Sequence, residues 1–149
     1  MQFVDKALAR RLESCEEMPQ VLYARIFRNT RPEIGAAEEE ICGGHMVFAG
    51  LGSPIGRATG AGLDRAFTAD DLNRIEQFYR ERKAPSQVDL TPLHGPEVFE
   101  MFKERGYAIA TDAAGNVLRS ADQVAVGDAV GIRLQRGSLE TEVRKKVEG

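Results

Sequence analysis

The residue types that do chemistry are few in this chain and widely spread. Cys15 and Cys42 are too few and too far apart for a disulfide framework or a zinc site, and they read as free thiols, buried or half-buried. His45 and His94 are equally isolated. A metal ion needs three or four converging ligands, and no cluster of His, Cys and acid stands out, so no metal is expected. Ser53 precedes Pro54 and reads as a turn residue, while Tyr79 and Tyr107 read as aromatics at a core edge. No nucleophile, base and orienting group fall together, and the catalytic residues stay unassigned. The remaining stretch of interest is glycine-rich, Gly50 to Gly62, and ends in Arg57-Ala58-Thr59-Gly60-Ala61-Gly62. Glycines serve tight turns. They cradle phosphates when the loop runs straight into a helix, whose first amides are free. Here the nearest helix start is Thr68, with Leu63 to Phe67 intervening, and Asp64 would place negative charge beside such a ligand.

The elements that must position these residues belong to a chain of 149 residues with net charge −3, 42% apolar and 29% charged, which are the proportions of a globular protein. The acidic balance argues against a general nucleic-acid or membrane-surface binder. No apolar run approaches the roughly 18 residues of a membrane span, and the charged N-terminus does not read as a signal peptide, so a cytoplasmic location is expected. From about Phe3 to Arg28 the periodicity is helical. Val4, Leu8, Leu12 and Cys15 form one stripe, and Arg10, Arg11, Glu13, Glu16 and Glu17 lie on the other face. Pro19 predicts a kink or two helices meeting there, after which Val21, Leu22, Ile26 and Phe27 resume the stripe. Glu38–Cys42 and His45–Ala49 around Gly43-Gly44 predict a hairpin, the acid triplet lying on a solvated strand edge, and a third strand is expected near Arg57-Ala58-Thr59. Thr68, Asp70 and Asp71 predict a capped helix start, with Phe67 and Leu72 at staple spacing. Ser86–Leu90 reads as a strand, and Gly95-Pro96-Glu97 opens a short helix closed by Gly106. From Tyr107 on, the rhythm is strand, turn, strand: Tyr107–Thr111, a turn at Asp112–Gly115, Asn116–Arg119, Ala129–Leu134, a turn at Arg136-Gly137-Ser138, then Leu139–Val143. The fold class is α+β, mixed α/β, with an N-terminal module at 1–107 and a C-terminal antiparallel β-meander at 108–149 packed on it, because a meander this short rarely makes its own core.

Several of these segments also resemble known families. Gly50-Leu51-Gly52-Ser53-Pro54, Gly60-Ala61-Gly62-Leu63-Asp64, Glu76-Gln77-Phe78-Tyr79, Ala84-Pro85, Pro92-Leu93 and Glu104-Arg105-Gly106-Tyr107 resemble the N-terminal half of a bacterial GNAT-superfamily N-acetyltransferase, over residues 3–108. Gly106-Tyr107-Ala108-Ile109, Gly115 to Ala121, Val126-Gly127-Asp128 and the Gly137 turn resemble the C-terminal tail of the exonuclease VII large subunit, a tail that lies outside that family's nuclease centre. The two meet at Arg105-Gly106-Tyr107, so the chain reads as a fusion. The first resemblance implies acetyl-CoA as cofactor and assigns Arg57, Gly60 and Gly62 to its pyrophosphate, because Arg57–Gly62 fits that family's signature of Gln or Arg, two residues, Gly, one residue, then Gly or Ala. The family's cofactor loop belongs to a second half that is absent here, so the site is expected to be incomplete. The alternative is a non-catalytic interaction module, a regulator, inhibitor or antitoxin-like binder, meeting a protein partner through a sheet edge or a helix face. Nucleic acid is the least favoured partner, and no membrane is expected.

Overall fold

The computed structural model describes residues 5–91, 93–118, 121–134 and 137–146. Of the segments anticipated above, Phe3, Val4, Pro92, Arg119, Ser120 and Arg136 fall outside them. The chain is α+β and divides into two units at Leu93–His94. Helix Pro96–Glu104 therefore belongs to the second unit, whereas the expected boundary at 107 had set it in the first.

In the first unit, helix α1 spans Lys6–Thr30 without interruption. Asp5 caps it, its carboxylate accepting from the Leu8 amide at 2.8 Å. Of the kink or two helices expected at Pro19, the second does not occur: one helix runs through it. Pro19 is exposed, so the carbonyl of Cys15 that it leaves without an amide donor opens to water and not into a core. Strands β1 (Ala37–Ile41) and β2 (Gly44–Phe48) form the hairpin, joined by Cys42 and Gly43, both with positive φ (49° and 82°), which matches the right-handed strand twist. Strand β3 (Ala58–Thr59) adds to β2 antiparallel, giving the order β1-β2-β3. The expected strand at Ser86–Leu90 is reduced to one parallel bridge, Val88 against Ala58, held by Ala58 amide to Gln87 carbonyl and Asp89 amide to Ala58 carbonyl, both 2.9 Å.

Helix α2 (Ala69–Glu81) begins on a full capping box of Thr68 and Asp71 and buries Leu72, Ile75, Phe78 and Tyr79. Tyr79 donates its hydroxyl to the Val47 carbonyl at 3.1 Å, tying α2 to β2. Across β2, alternate residues face opposite ways; Val47 packs with Val21 and Ala24 of α1. The face of α1 turned to the sheet is not the anticipated one. Ala9, Glu13, Glu17, Val21 and Ala24 are buried, while Leu12, Cys15, Leu22 and Ile26 are exposed. Small residues at 9 and 24 let the helix approach the sheet closely, and the buried Glu17 carboxylate is compensated by partners, as burial of a charge requires.

The second unit holds helix α3 (Pro96–Glu104) and strands β4 (Ile109–Thr111), β5 (Ala129–Arg133) and β6 (Ser138–Glu142), antiparallel in the order β4-β5-β6. Gly106 closes α3 with φ +86°, and the Tyr107 amide reaches back to the Phe102 carbonyl at 3.0 Å. The return strand expected at Asn116–Arg119 contributes one bridge, Val117 to Thr111. Val98, Phe102, Ile109 and Val130 are buried, and β6 is exposed throughout.

Candidate functional site

A polar cluster of the first unit lies between α1 and the end of β3. Arg10 and Glu17 stand two turns apart on the sheet side of α1, and Gln20 follows one turn on. Glu17 is 1% exposed. One of its oxygens accepts from Arg10 Nη1 at 2.5 Å and the other lies 2.5 Å from His45 Nδ1. Arg10 also donates through Nε to Asp64 Oδ2 at 3.2 Å. The Glu17 hydrogen bond chiefly raises the Arg10 guanidinium above its ordinary range, against desolvation. His45 is placed by the sheet, directly opposite Thr59 in the β2–β3 register. The Thr59 hydroxyl lies 3.2 Å from both Gln20 Oε1 and Asp89 Oδ2. Asp89 in turn stands 3.7 Å from Arg57 Nη1.

Gly60 is the floor of this cluster. Its φ is +75°, and a Cβ there would lie 2.9 Å from Arg10 Nη1 and 3.0 Å from Glu17 Oε2. Gly44 is required for a different reason: a Cβ on it would meet the Thr59 carbonyl at 2.2 Å and the Ala61 amide at 2.5 Å. The β3 turn therefore lies directly on the hairpin.

Arg57, Gly60 and Gly62, singled out from the sequence, lie along one loop, and each has a use within the unit. Arg57 donates to the Pro54 carbonyl and faces Asp89, while its buried Nε has no hydrogen-bond partner among the described residues. Gly60 makes room for the Arg10–Glu17 pair. Gly62 donates its amide to the Cys42 carbonyl at 2.9 Å. The loop does not open a helix, since α2 starts at Ala69. The positive end of α2 already carries a carboxylate. Asp71 accepts from the Thr68 amide at 2.9 Å and from its hydroxyl at 2.7 Å, and it takes both guanidinium nitrogens of Arg65 at 2.6 and 2.8 Å. Chiefly the Arg65 bonds hold Asp71 well below the usual carboxylate range.

Chemically, Glu17 and His45 form a base with its orienting carboxylate. No hydroxyl or thiol among the described residues bonds to His45, and no group of three His, Cys, Asp or Glu among them is arranged to hold a metal. Cys42 sits at the hairpin turn with its sulfur 3.6 Å from the Ala66 carbonyl, and burial, followed by Asp71, pushes its thiol up. A separate open cleft of about 590 Å³ is lined by Ile34, Gly35, Phe48, Ala49, Gly50, Leu51 and Arg82. Its one cation is engaged, as the Arg82 guanidinium lies 3.8 Å over the Phe78 ring and donates to the Phe78 carbonyl at 2.6 Å.

Arg10, Glu17, Gln20, His45 and Asp89 were not singled out from the sequence. A signal for Glu17 was present: Glu13, Glu17 and Val21 follow one another at four-residue steps, so the carboxylates share a line with an apolar residue.

No helix of the described residues is long and apolar enough to cross a membrane. Forty residues of the chain, 27% of its length, are 55% identical to the exodeoxyribonuclease 7 large subunit of Acidothermus cellulolyticus. They span only 10% of that protein. No protein-family model and no solved structure matches the chain.

Proposed function

We propose that the chain joins an acetyltransferase-like unit, without a complete acetyl-CoA site, to a tail like that of the exonuclease VII large subunit, and that it works by binding protein. The observation that carries this reading is the state of the α2 N-terminus. The place where a backbone-bound pyrophosphate would gain most is filled by the chain's own Asp71, locked by Arg65 and Thr68. The Gly62 amide and the Arg57 guanidinium are likewise engaged within the unit. Burial of Glu17 against Arg10 and His45 supports a structural role for that cluster too, because the carboxylate's strongest partners are spent on neutralising it. The GNAT-like motifs and the short exonuclease match support the two-part descent. Between the two surfaces open to a partner, the helix face is better supported than a sheet edge. Strand β6 presents Glu140 and Glu142, charges that discourage strand addition, whereas the outer face of α1 carries an exposed apolar stripe.

Calorimetric titration of the purified protein with acetyl-CoA tests the catalytic half of the reading. No saturable heat is expected even at millimolar ligand. Saturable micromolar binding that is lost when Gly60 and Gly62 are made bulkier overturns it and restores Arg57, Gly60 and Gly62 as a cofactor loop.

A further inference from the structure

Helix α1 carries its large apolar side chains on the side away from the sheet. Leu12, Met18, Leu22, Tyr23 and Ile26 are between 45% and 57% exposed, and Cys15 and Pro19 lie exposed among them. Leu12, Cys15, Pro19, Leu22 and Ile26 are separated by steps of three and four residues. That is the spacing of the inner positions of a two-stranded coiled coil, sustained over about four turns. We propose that this stripe pairs with the same stripe of a second copy of the chain, with the two α1 helices parallel about a two-fold axis.

The flanking charges select this occupant and this direction. Arg11 and Glu16 border the stripe on opposite sides, five residues apart. In a parallel two-fold pair the outer residue on one flank meets the residue five positions on in the partner helix. Arg11 of each copy therefore meets Glu16 of the other, and the pair forms twice by symmetry. Neither residue makes an ion pair among the described residues, unlike Arg10, Arg25 and Arg28, which do. One heptad later the same two flanks carry Met18 and Tyr23, which meet as an apolar pair. An antiparallel pair would instead set Arg11 against Arg25, two like charges sharing one flank. The stripe is on the order of a few hundred Å², below the roughly 800 Å² per partner of stable complexes. The association is therefore reversible and set by concentration.

The proposal rests on the protein-binding reading above but has its own readout. Sedimentation equilibrium of the whole chain under reducing conditions is expected to show a monomer–dimer equilibrium in the micromolar range. Mild oxidation of the dimer should then link Cys15 to Cys15 of the second copy, because parallel register brings these two inner positions together, and C15S should abolish the link while C42S leaves it. L22D should remove the dimer without loss of helical signal, since Leu22 does not contribute to the buried face. E16R should weaken association about tenfold, two exposed attractions having become repulsions, and R11E with E16R should restore it. A monomer at every concentration overturns the pairing while leaving the acetyl-CoA result untouched. A dimer in which Cys15 links to an introduced P19C of the second copy, but not to Cys15, overturns the parallel direction.

Discussion

Asp71 shows how one side chain can both shape the fold and close off a chemistry. It completes the capping box of α2 and receives the Arg65 guanidinium, so its carboxyl titrates far below that of an unfolded aspartate, near 3.9. A depressed folded value contributes stability that is fully present above the unfolded value and is lost as pH falls through the folded one. D71N is therefore expected to lower stability at neutral pH by about 1 kcal/mol or more, the worth of a lost cap. Urea denaturation of both proteins should show a gap that is constant above about pH 4 and narrows steadily below it. A gap that stays constant down to pH 2 would assign the loss to shape alone. Glu17 follows the opposite logic, because its burial required partners from two segments, Arg10 on α1 and His45 on β2. The sequence displays those segments but not their meeting, which explains why Arg57 and the glycines were legible as candidates while Glu17 and His45 were not.

Helices differ in how fully their sequences describe them. In α2 the cap, the acidic first turn, the Phe67–Leu72 spacing and the apolar face all agree, and the helix lies where those signals put it. In α1 the extent was legible and the orientation was not. It bears two apolar arcs, one of small residues with Val21 and one of Leu, Met and Ile, and side-chain size favours the wrong arc. Only Arg10, itself held by Asp64 beyond β3, and His45 on β2 give Glu17 its partners and turn that side inward. Ser86–Leu90 alternates as a strand should, yet forms a single bridge, because β3 offers it only two residues to pair with. Pro19 provides a test at this scale. P19A restores an amide to bond the Cys15 carbonyl, and the continuous helix needs no change to accept it. The substitution is expected to raise stability by about 1 kcal/mol, read as an upward shift in Tm. A fall in Tm would mean that the ring itself packs against something.

At the scale of the whole chain, the division at Leu93–His94 sets two different cores side by side in sequence. The first has Ile41, Met46, Val47, Leu72, Ile75 and Tyr79 nearly sealed from water, each worth about 1.5–3 kcal/mol of burial. The second has few buried apolar residues among those described, and an outer strand open along its length. A chain ending at Leu93 is expected to keep a cooperative thermal transition and the helical signal of α1 and α2, whereas one beginning at His94 should unfold without a sharp midpoint. Non-cooperative melting of the N-terminal piece would show that the two units depend on each other. The two cysteines then give the molecule a built-in clock. In the monomer Cys15, on the outer side of α1, meets an alkylating reagent at once, while Cys42, buried at the hairpin turn with its thiolate disfavoured, waits for the first unit to come apart. The ratio of the two labelling rates measures how often that core opens in the native protein, with no probe added.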